Sequence, residues 1–205
     1  TYLRYYNMSF MEPVLEAWIR RLYRKCDALV APSESFAQVL RQQRMNYDID
    51  IWSRGVDRDI FDPSQRDMSW RRGLGIADEI PVIGFLGRLV MEKGLDVFSD
   101  TIDQLKRRKV PHQVVVIGDG PARPWFETRI PEAKFAGFHM GSDLGRAVAS
   151  MDMFFNPSVT EAFGNVTLES MASGLPVVAA KATGSQSLVE DKVSGRLITP
   201  GAINQ

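Results

Sequence analysis

Two glutamates flanking seven residues give this sequence its strongest chemical signal. In Thr160-Glu161-Ala162-Phe163-Gly164-Asn165-Val166-Thr167-Leu168-Glu169, the first carboxylate falls in a loop after an apolar run. The second falls about one turn into the helix that Gly164 opens. A helix start presents free N–H groups and the positive end of the helix dipole, which suits a phosphate. Gly164 leaves room for that phosphate, and the two glutamates can accept from hydroxyls on either side of it. The pattern therefore fits a polyhydroxyl ligand with a central diphosphate: sugar, pyrophosphate, ribose. Taken singly, each glutamate reads as a solvated surface position; the bracketing of a helix start favours the binding reading.

A second signal is Gly87-Arg88-Leu89-Val90-Met91-Glu92-Lys93-Gly94, a loop with two cations between an apolar strand and a helix. Arginine grips phosphate with a planar fork and lysine acts as a point charge. Alone, this loop also reads as a solvated charged turn in which Glu92 neutralises Lys93. A third, Gly118-Asp119-Gly120-Pro121, holds only part of a dinucleotide fingerprint and reads first as a tight turn.

These segments need a scaffold that brings strand-to-helix loops together. From about Pro81 onward, short apolar runs alternate with helical periodicity. Strands are predicted at Val82–Leu86, Gln113–Ile117, Lys134–Phe138, Met153–Asn156, Pro176–Ala180 and Arg196–Thr199. Helices are predicted between them: one carrying Leu95, Phe98, Ile102 and Leu105, one to about Arg129, one over Ser142–Met151 capped by Ser142 or Asp143, one from about Gly164 to Ala172, and a short one near Ser185–Glu190. Such alternation implies an α/β class: a Rossmann-like parallel sheet with helices on both faces. Ligands then bind outside the carboxyl ends of the strands, after Leu86, Ile117, Phe138 and Asn156.

The first part reads differently. Val14, Leu15, Trp18, Ile19, Leu22 and Cys26 mark one helix face. Short strands are predicted at Ala28–Ala31 and Ile49–Trp52, with Ser33 capping a helix over Glu34–Gln43. A polar stretch, Ser53–Arg72, contains the turn signal Asp62-Pro63, and the domain boundary is placed near Gly55. Residues 1–54 hold too few strands for a complete sheet. The apolar helix face is expected to pack within that first domain and its cations Arg20, Arg21, Arg24 and Lys25 to be solvated; with Tyr2, Tyr5 and Tyr6, a lipid-surface role is the alternative.

Composition excludes several classes. Of 205 residues, 44% are hydrophobic and 24% charged, ordinary for a globular α/β protein. With 25 basic against 25 acidic residues there is no global field to argue for nucleic acid, so any anion site is local. The single cysteine, Cys26, permits no internal disulfide and fits a reducing compartment. No run is long enough for a transmembrane span or a signal peptide, and a cytoplasmic location is expected. The chain begins at Thr1 rather than Met, and reads as a fragment or a trimmed chain.

In order and spacing, Gly87-Arg88…Glu92-Lys93-Gly94, Gly118-Asp119-Gly120-Pro121, and the string from Asn156-Pro157-Ser158 through Glu161 and Glu169 to Ala180 resemble the retaining glycosyltransferase family 4, of GT-B fold. Arg54-Gly55-Val56-Asp57, Phe61-Asp62-Pro63 and Phe163-Gly164-Asn165-Val166-Thr167 are similar to the members that glycosylate lipids, α-mannosyltransferases and sulfoquinovosyl diacylglycerol synthases.

The resemblance implies residues 1–54 to be the end of the acceptor-side domain with linker, and 55–205 the donor-binding domain, probed by a GDP- or UDP-linked sugar and lacking its final helix. It implies Arg88 and Lys93 on the donor diphosphate, Glu161 on sugar hydroxyls, and Glu169 on the ribose. Main-chain groups of Gly164, Asn165 and Val166 would assist, and the Phe138–Gly141 loop would lie near the base, with Gly87, Gly118 and Phe163 also in the donor site. It implies no metal and no cofactor, a lipid or glycan acceptor, products that keep the donor's anomeric configuration, and peripheral membrane contact through the acceptor-side domain, at the inner face of the membrane. Its glycine-rich acceptor loop would lie before Thr1 and its crossing helix after Gln205; neither His112 nor His139 falls at the acceptor-side position. Three other chemistries share parts of the pattern: nucleotide-sugar epimerisation or phosphorolysis, glycoside hydrolysis by paired carboxylates, and donor binding without catalysis.

Overall fold

The structure is a computed structural model and describes residues 9–202; Tyr2, Tyr5 and Tyr6 lie outside them. The chain divides into two compact units, Thr1–Arg54 and Gly55–Gln205.

In the first unit, α1 (Glu12–Tyr23) precedes β1 (Leu29–Ala31), α2 (Glu34–Gln42) and β2 (Ile49–Ile51). Ser33 caps α2, its hydroxyl accepting from the Phe36 amide. The two strands run parallel, Leu29 opposite Ile49, and Ala31, Ala37 and Ile49 form a small buried cluster. The expected packing of α1 is not found in this unit: Val14 and Trp18 are 67% and 61% exposed, and no residue of the helix is buried. Two short strands offer too little apolar surface to cover it.

The second unit contains α3 (Met68–Gly73), β3 (Val82–Leu86), α4 (Leu95–Arg107), β4 (Gln113–Ile117), α5 (Arg123–Arg129), β5 (Lys134–Gly137), α6 (Gly141–Ala149), β6 (Met153–Asn156), α7 (Asn165–Ala172), β7 (Val177–Ala180), α8 (Thr183–Gln186) and β8 (Gly195–Ile198). Its six strands form one sheet in the order β5-β4-β3-β6-β7-β8, all pairs parallel. Side chains alternate across it. Val82, Leu86, Val115, Ile117, Phe154 and Val177 join one buried cluster with Val148 and Met151; Ile83, Phe85, Val114, Val116 and Phe155 join another with Leu95, Phe98, Ile102 and Phe126. In the second cluster Phe85, Phe98 and Phe126 meet edge to face, with centroids 5.5–5.7 Å apart. Each fully buried ring contributes about 2–3 kcal/mol of apolar burial.

Three predicted details differ. Neither Ser142 nor Asp143 caps α6: the helix begins at Gly141, Met140 occupies the cap position without a side-chain bond, and Asp143 pairs with Arg146. The short helix expected near Ser185–Glu190 starts two residues earlier, where Gly184 lies against the main chain of Phe163; a Cβ there would be 2.9 Å from the Phe163 carbonyl carbon. The stretch Ser53–Arg72 is more than a turn. Asp62 caps the 3-10 turn Pro63–Gln65, and Asp67 caps α3 by accepting from the Ser69 and Trp70 amides.

That stretch also delivers Arg66 and Arg71 to the amino ends of β3 and β6. Arg71, 1% exposed, bonds Asp152 Oδ2 at 2.9 Å and the Ile80 carbonyl at 2.6 Å. Arg66 reaches the other Asp152 oxygen and the Met151 carbonyl. Asp152 Oδ2 also accepts from the Val82 amide at 2.8 Å. Burial works against the Asp152 charge, yet the bonds from Arg66 and Val82 and the two guanidinium charges hold its pKa below the ordinary value.

Candidate functional site

Strand order reverses between β3 and β6: the chain runs outward through β4 and β5, then returns to the other side of β3. Loops leaving the carboxyl ends of adjacent strands at such a reversal enclose a crevice. Here these are the Gly87–Gly94 and Pro157–Gly164 segments.

The two loops meet in three ways. Gly94, at φ +74°, lies so close to Pro157 that a Cβ would stand 3.0 Å from the Pro157 carbonyl oxygen. Thr160 Oγ1 donates to the Glu92 carbonyl at 3.1 Å. Lys93 Nζ pairs with Glu161 Oε1 at 2.8 Å. The β4 loop locks in beside them: the Leu89 amide donates to the Asp119 carbonyl at 2.9 Å and the Ala122 amide to the Leu89 carbonyl at 3.0 Å. Gly118 is required there, because a Cβ would fall 2.0 Å from the Gly87 oxygen. Its amide donates to the Gly137 carbonyl at the end of β5, tying in a further loop.

Glu161 has only 10% of its side chain exposed, and its second oxygen, Oε2, is buried without a hydrogen-bond partner. That oxygen lies 3.3 Å from where a Cβ of Gly164 would be. Gly164 takes a left-handed conformation, φ +92°, as the N-cap of α7, and its carbonyl accepts from the Thr167 and Leu168 amides. The Asn165 and Val166 N–H groups, first in the helix, have no intrahelical acceptor. Glu169 follows one turn later. Burial pushes its carboxyl above the ordinary value, and the Glu161 charge adds to this.

Lys93, Glu161, Gly164 and the start of α7 thus converge, with Glu169 close enough to feel Glu161. Arg88 heads the same basic loop, is exposed, and takes part in no ion pair among the described residues. Gly87 donates its amide to the Ile117 carbonyl at the strand ends. Phe138 is 70% exposed just beyond β5. Phe163 is buried, so any part it takes in ligand contact goes through its main chain. Asn165 is exposed and Val166 partly covered against the core.

Sequence reasoning missed the polar support beneath this site. Asn156 Nδ2 donates to Thr167 Oγ1 at 3.0 Å, and Asn156 Oδ1 accepts from the Ser158 amide at 3.1 Å. Asn156, Ser158 and Thr167 are all buried. An asparagine at the end of an otherwise apolar strand was the available signal. Among the described residues, no three histidine, cysteine, aspartate or glutamate side chains gather as a metal site. No helix there is long and apolar enough to cross a membrane.

Residues 80–205 match the family described as Glycosyl transferases group 1, and residues 1–60 match Glycosyltransferase Family 4. A GDP-mannose-dependent alpha-mannosyltransferase of Mycolicibacterium smegmatis is 36% identical over 193 residues, covering 94% of this chain and 50% of the relative. Sulfoquinovosyl transferase SQD2 of Arabidopsis thaliana is 32% identical over 211 residues, covering 98% and 40%. The crystal structure of Anabaena Alr3699/HepE in complex with UDP-glucose superposes with a TM-score of 0.78 at 28% identity, covering 91% of this chain and 54% of that one. The chain spans about half the length of the curated relatives it matches.

Proposed function

The chain belongs to the group 1 glycosyl transferases, and on that premise we propose that residues 55–205 bind a nucleoside-diphosphate sugar and residues 1–54 close the acceptor-side domain of a retaining transferase. The observation that carries the donor site is the Lys93–Glu161 pair beside Gly164, with Glu161 Oε2 buried and unpartnered. A buried acceptor without a donor costs roughly 1–3 kcal/mol, so the site is completed by a ligand that brings hydroxyl protons to it. A sugar does so.

In this reading Lys93, Arg88 and the Gly164–Val166 main chain receive the diphosphate. Their charge opposes the charge that builds on the diphosphate as the sugar–phosphate bond breaks. Glu161 holds sugar hydroxyls and sits where an electron-poor sugar carbon is stabilised by a nearby carboxylate. Glu169 holds the ribose: a diol donor relieves the cost of its burial. Gly87 lets the ligand approach the main chain, Gly118 lets the Gly87 turn pack close beside it, and the Phe138–Gly141 loop flanks the base. In this reading Lys93, Arg88 and the start of α7 supply the positive charge, and no metal ion is called for.

GDP- and UDP-linked donors are both within this reading, since relatives of the two kinds resemble the chain. A lipid or glycan acceptor, and with it a peripheral position at the cytoplasmic face of a membrane, belongs to the same proposal and is supported by the resemblance of Arg54-Gly55-Val56-Asp57 and Phe163-Gly164-Asn165-Val166-Thr167 to lipid-glycosylating members. Thermal-shift measurements against GDP, UDP and ADP test the donor site. One of the three is expected to raise the midpoint, by about 2.7 kcal/mol of stabilisation at a hundredfold excess over Kd. No shift with any of them removes the donor assignment.

A further inference from the structure

The loop after β6 carries a run of side-chain bonds to which the donor reading gives no task. It starts in α7, where Thr167 Oγ1 accepts from Asn156. It passes through Asn156 to the Ser158 amide. Ser158 Oγ lies 3.5 Å from Thr160 Oγ1, a long contact, and Thr160 Oγ1 reaches the Glu92 carbonyl at 3.1 Å. Since the one Thr160 hydroxyl proton goes to Glu92, the proton between the two hydroxyls comes from Ser158. The run joins the helix that carries Glu169 to the residue preceding Lys93.

Two side-chain links therefore span the basic loop and the acidic loop, both across 68 residues of sequence: Lys93 to Glu161, and Thr160 to Glu92. They respond differently to an anion. A diphosphate competes with Glu161 for Lys93 and weakens the ionic link. The Thr160 bond is between neutral groups and does not depend on where the Lys93 charge goes. In the loaded site it is the side-chain link that keeps its strength.

We propose that Thr160 is a positioning residue: its hydroxyl clips the two loops together and fixes the spacing between Lys93 and Glu161, and so between diphosphate and sugar, once donor is bound. This rests on the donor-site reading above. It makes Thr160 matter for turnover more than for folding or for binding a nucleoside diphosphate that carries no sugar. The side chain is exposed, so removing the hydroxyl opens no cavity.

The test is Thr160→Val, of nearly equal shape, with Thr160→Ser, which keeps the hydroxyl, both in the full-length chain. kcat and KM for the donor, calorimetric affinity for the free nucleoside diphosphate, and Tm are read for each. For Thr160→Val, kcat is expected to fall about tenfold, since small misplacement of reacting groups is costly. Its nucleoside-diphosphate affinity stays within about twofold and its Tm within about 2 °C, while Thr160→Ser recovers at least about half of the wild-type kcat. The proposal is overturned if Thr160→Val turns over like wild type, if Thr160→Ser falls as far as Thr160→Val, or if kcat, affinity and Tm drop together. Lys93→Ala separates the two claims. If it retains wild-type turnover the donor site itself fails; if it is crippled while Thr160→Val is not, only the positioning role fails.

Discussion

At the amino ends of β3 and β6, Asp152 takes bonds from Arg66, Arg71 and the Val82 amide; at their carboxyl ends, Glu161 takes Lys93 and leaves Oε2 bare. Both sites set carboxylates against cations between the same two strands. In one the carboxyl is held below its ordinary pKa by what surrounds it; in the other Glu169 is pushed above it by burial and by Glu161. One polar atom, Arg71 Nε, lacks a partner at the amino end, but its carboxylate is fully engaged. The difference lies in the carboxylates: at the amino ends Asp152 is fully partnered without a ligand, whereas at the carboxyl ends a bare Glu161 oxygen and a raised Glu169 carboxyl carry a cost that a ligand can remove.

The contrast can be broken most forcefully at Asp152. Asp152→Asn leaves the buried Arg71 cation without its counter-charge, and is expected to lower stability by about 3–5 kcal/mol at pH 7 while leaving nucleotide affinity unchanged. Chemical denaturation and calorimetry measure the two. Because folding lowers the Asp152 pKa, its contribution is present above the unfolded value of about 3.9 and is lost as pH falls through the folded one. The gap between wild type and variant therefore narrows on acidification below about pH 4. A strong loss of nucleotide affinity in Asp152→Asn would erase the distinction between the two ends.

Lys93→Ala probes the other end. Turnover of the full-length chain is expected to fall about 10²-fold or more, as when one fixed group opposing developing charge is removed. Steady-state kinetics with the donor identified by thermal shift decide this. Arg88→Ala, whose guanidinium forms no ion pair among the described residues, is expected to follow in the same direction.

Glu169→Gln gives the smallest effect and the sharpest contrast, because its sign is reversed. A raised folded pKa means that Glu169 favours the folded state below its unfolded value and loses that contribution as pH rises through the folded one. Near neutral pH the variant is expected to melt about 1–3 °C higher than wild type, with weaker nucleotide binding. The gain in Tm disappears below about pH 4. A variant that melts lower at neutral pH would show that the carboxylate is satisfied without ligand.

Much of this was legible in advance. Val82–Leu86 and Gln113–Ile117 are strands at the predicted bounds, because each is a short apolar run between turn residues. Ser33 caps its helix as local chemistry requires. Ser142 and Asp143 do not, since cap residues mark a start only if the chain enters the helix there, and the exit from β5 places the start at Gly141. Arg66 and Arg71 gave no sign of their role: an arginine in a polar stretch reads as solvated, and only the fold buries it against Asp152.

The sequence by itself determined that strands and helices alternate, that glycines and a helix start sit after buried strands, and which cations and carboxylates stand in those loops. These are local properties, set by side-chain periodicity and backbone preference. Only the tertiary structure decided that Lys93 meets Glu161, that Thr160 reaches Glu92, and that Asp152 receives Arg71. Each depends on β3 lying beside β6, and that pairing is a choice among strand orders made by the packing of the whole sheet.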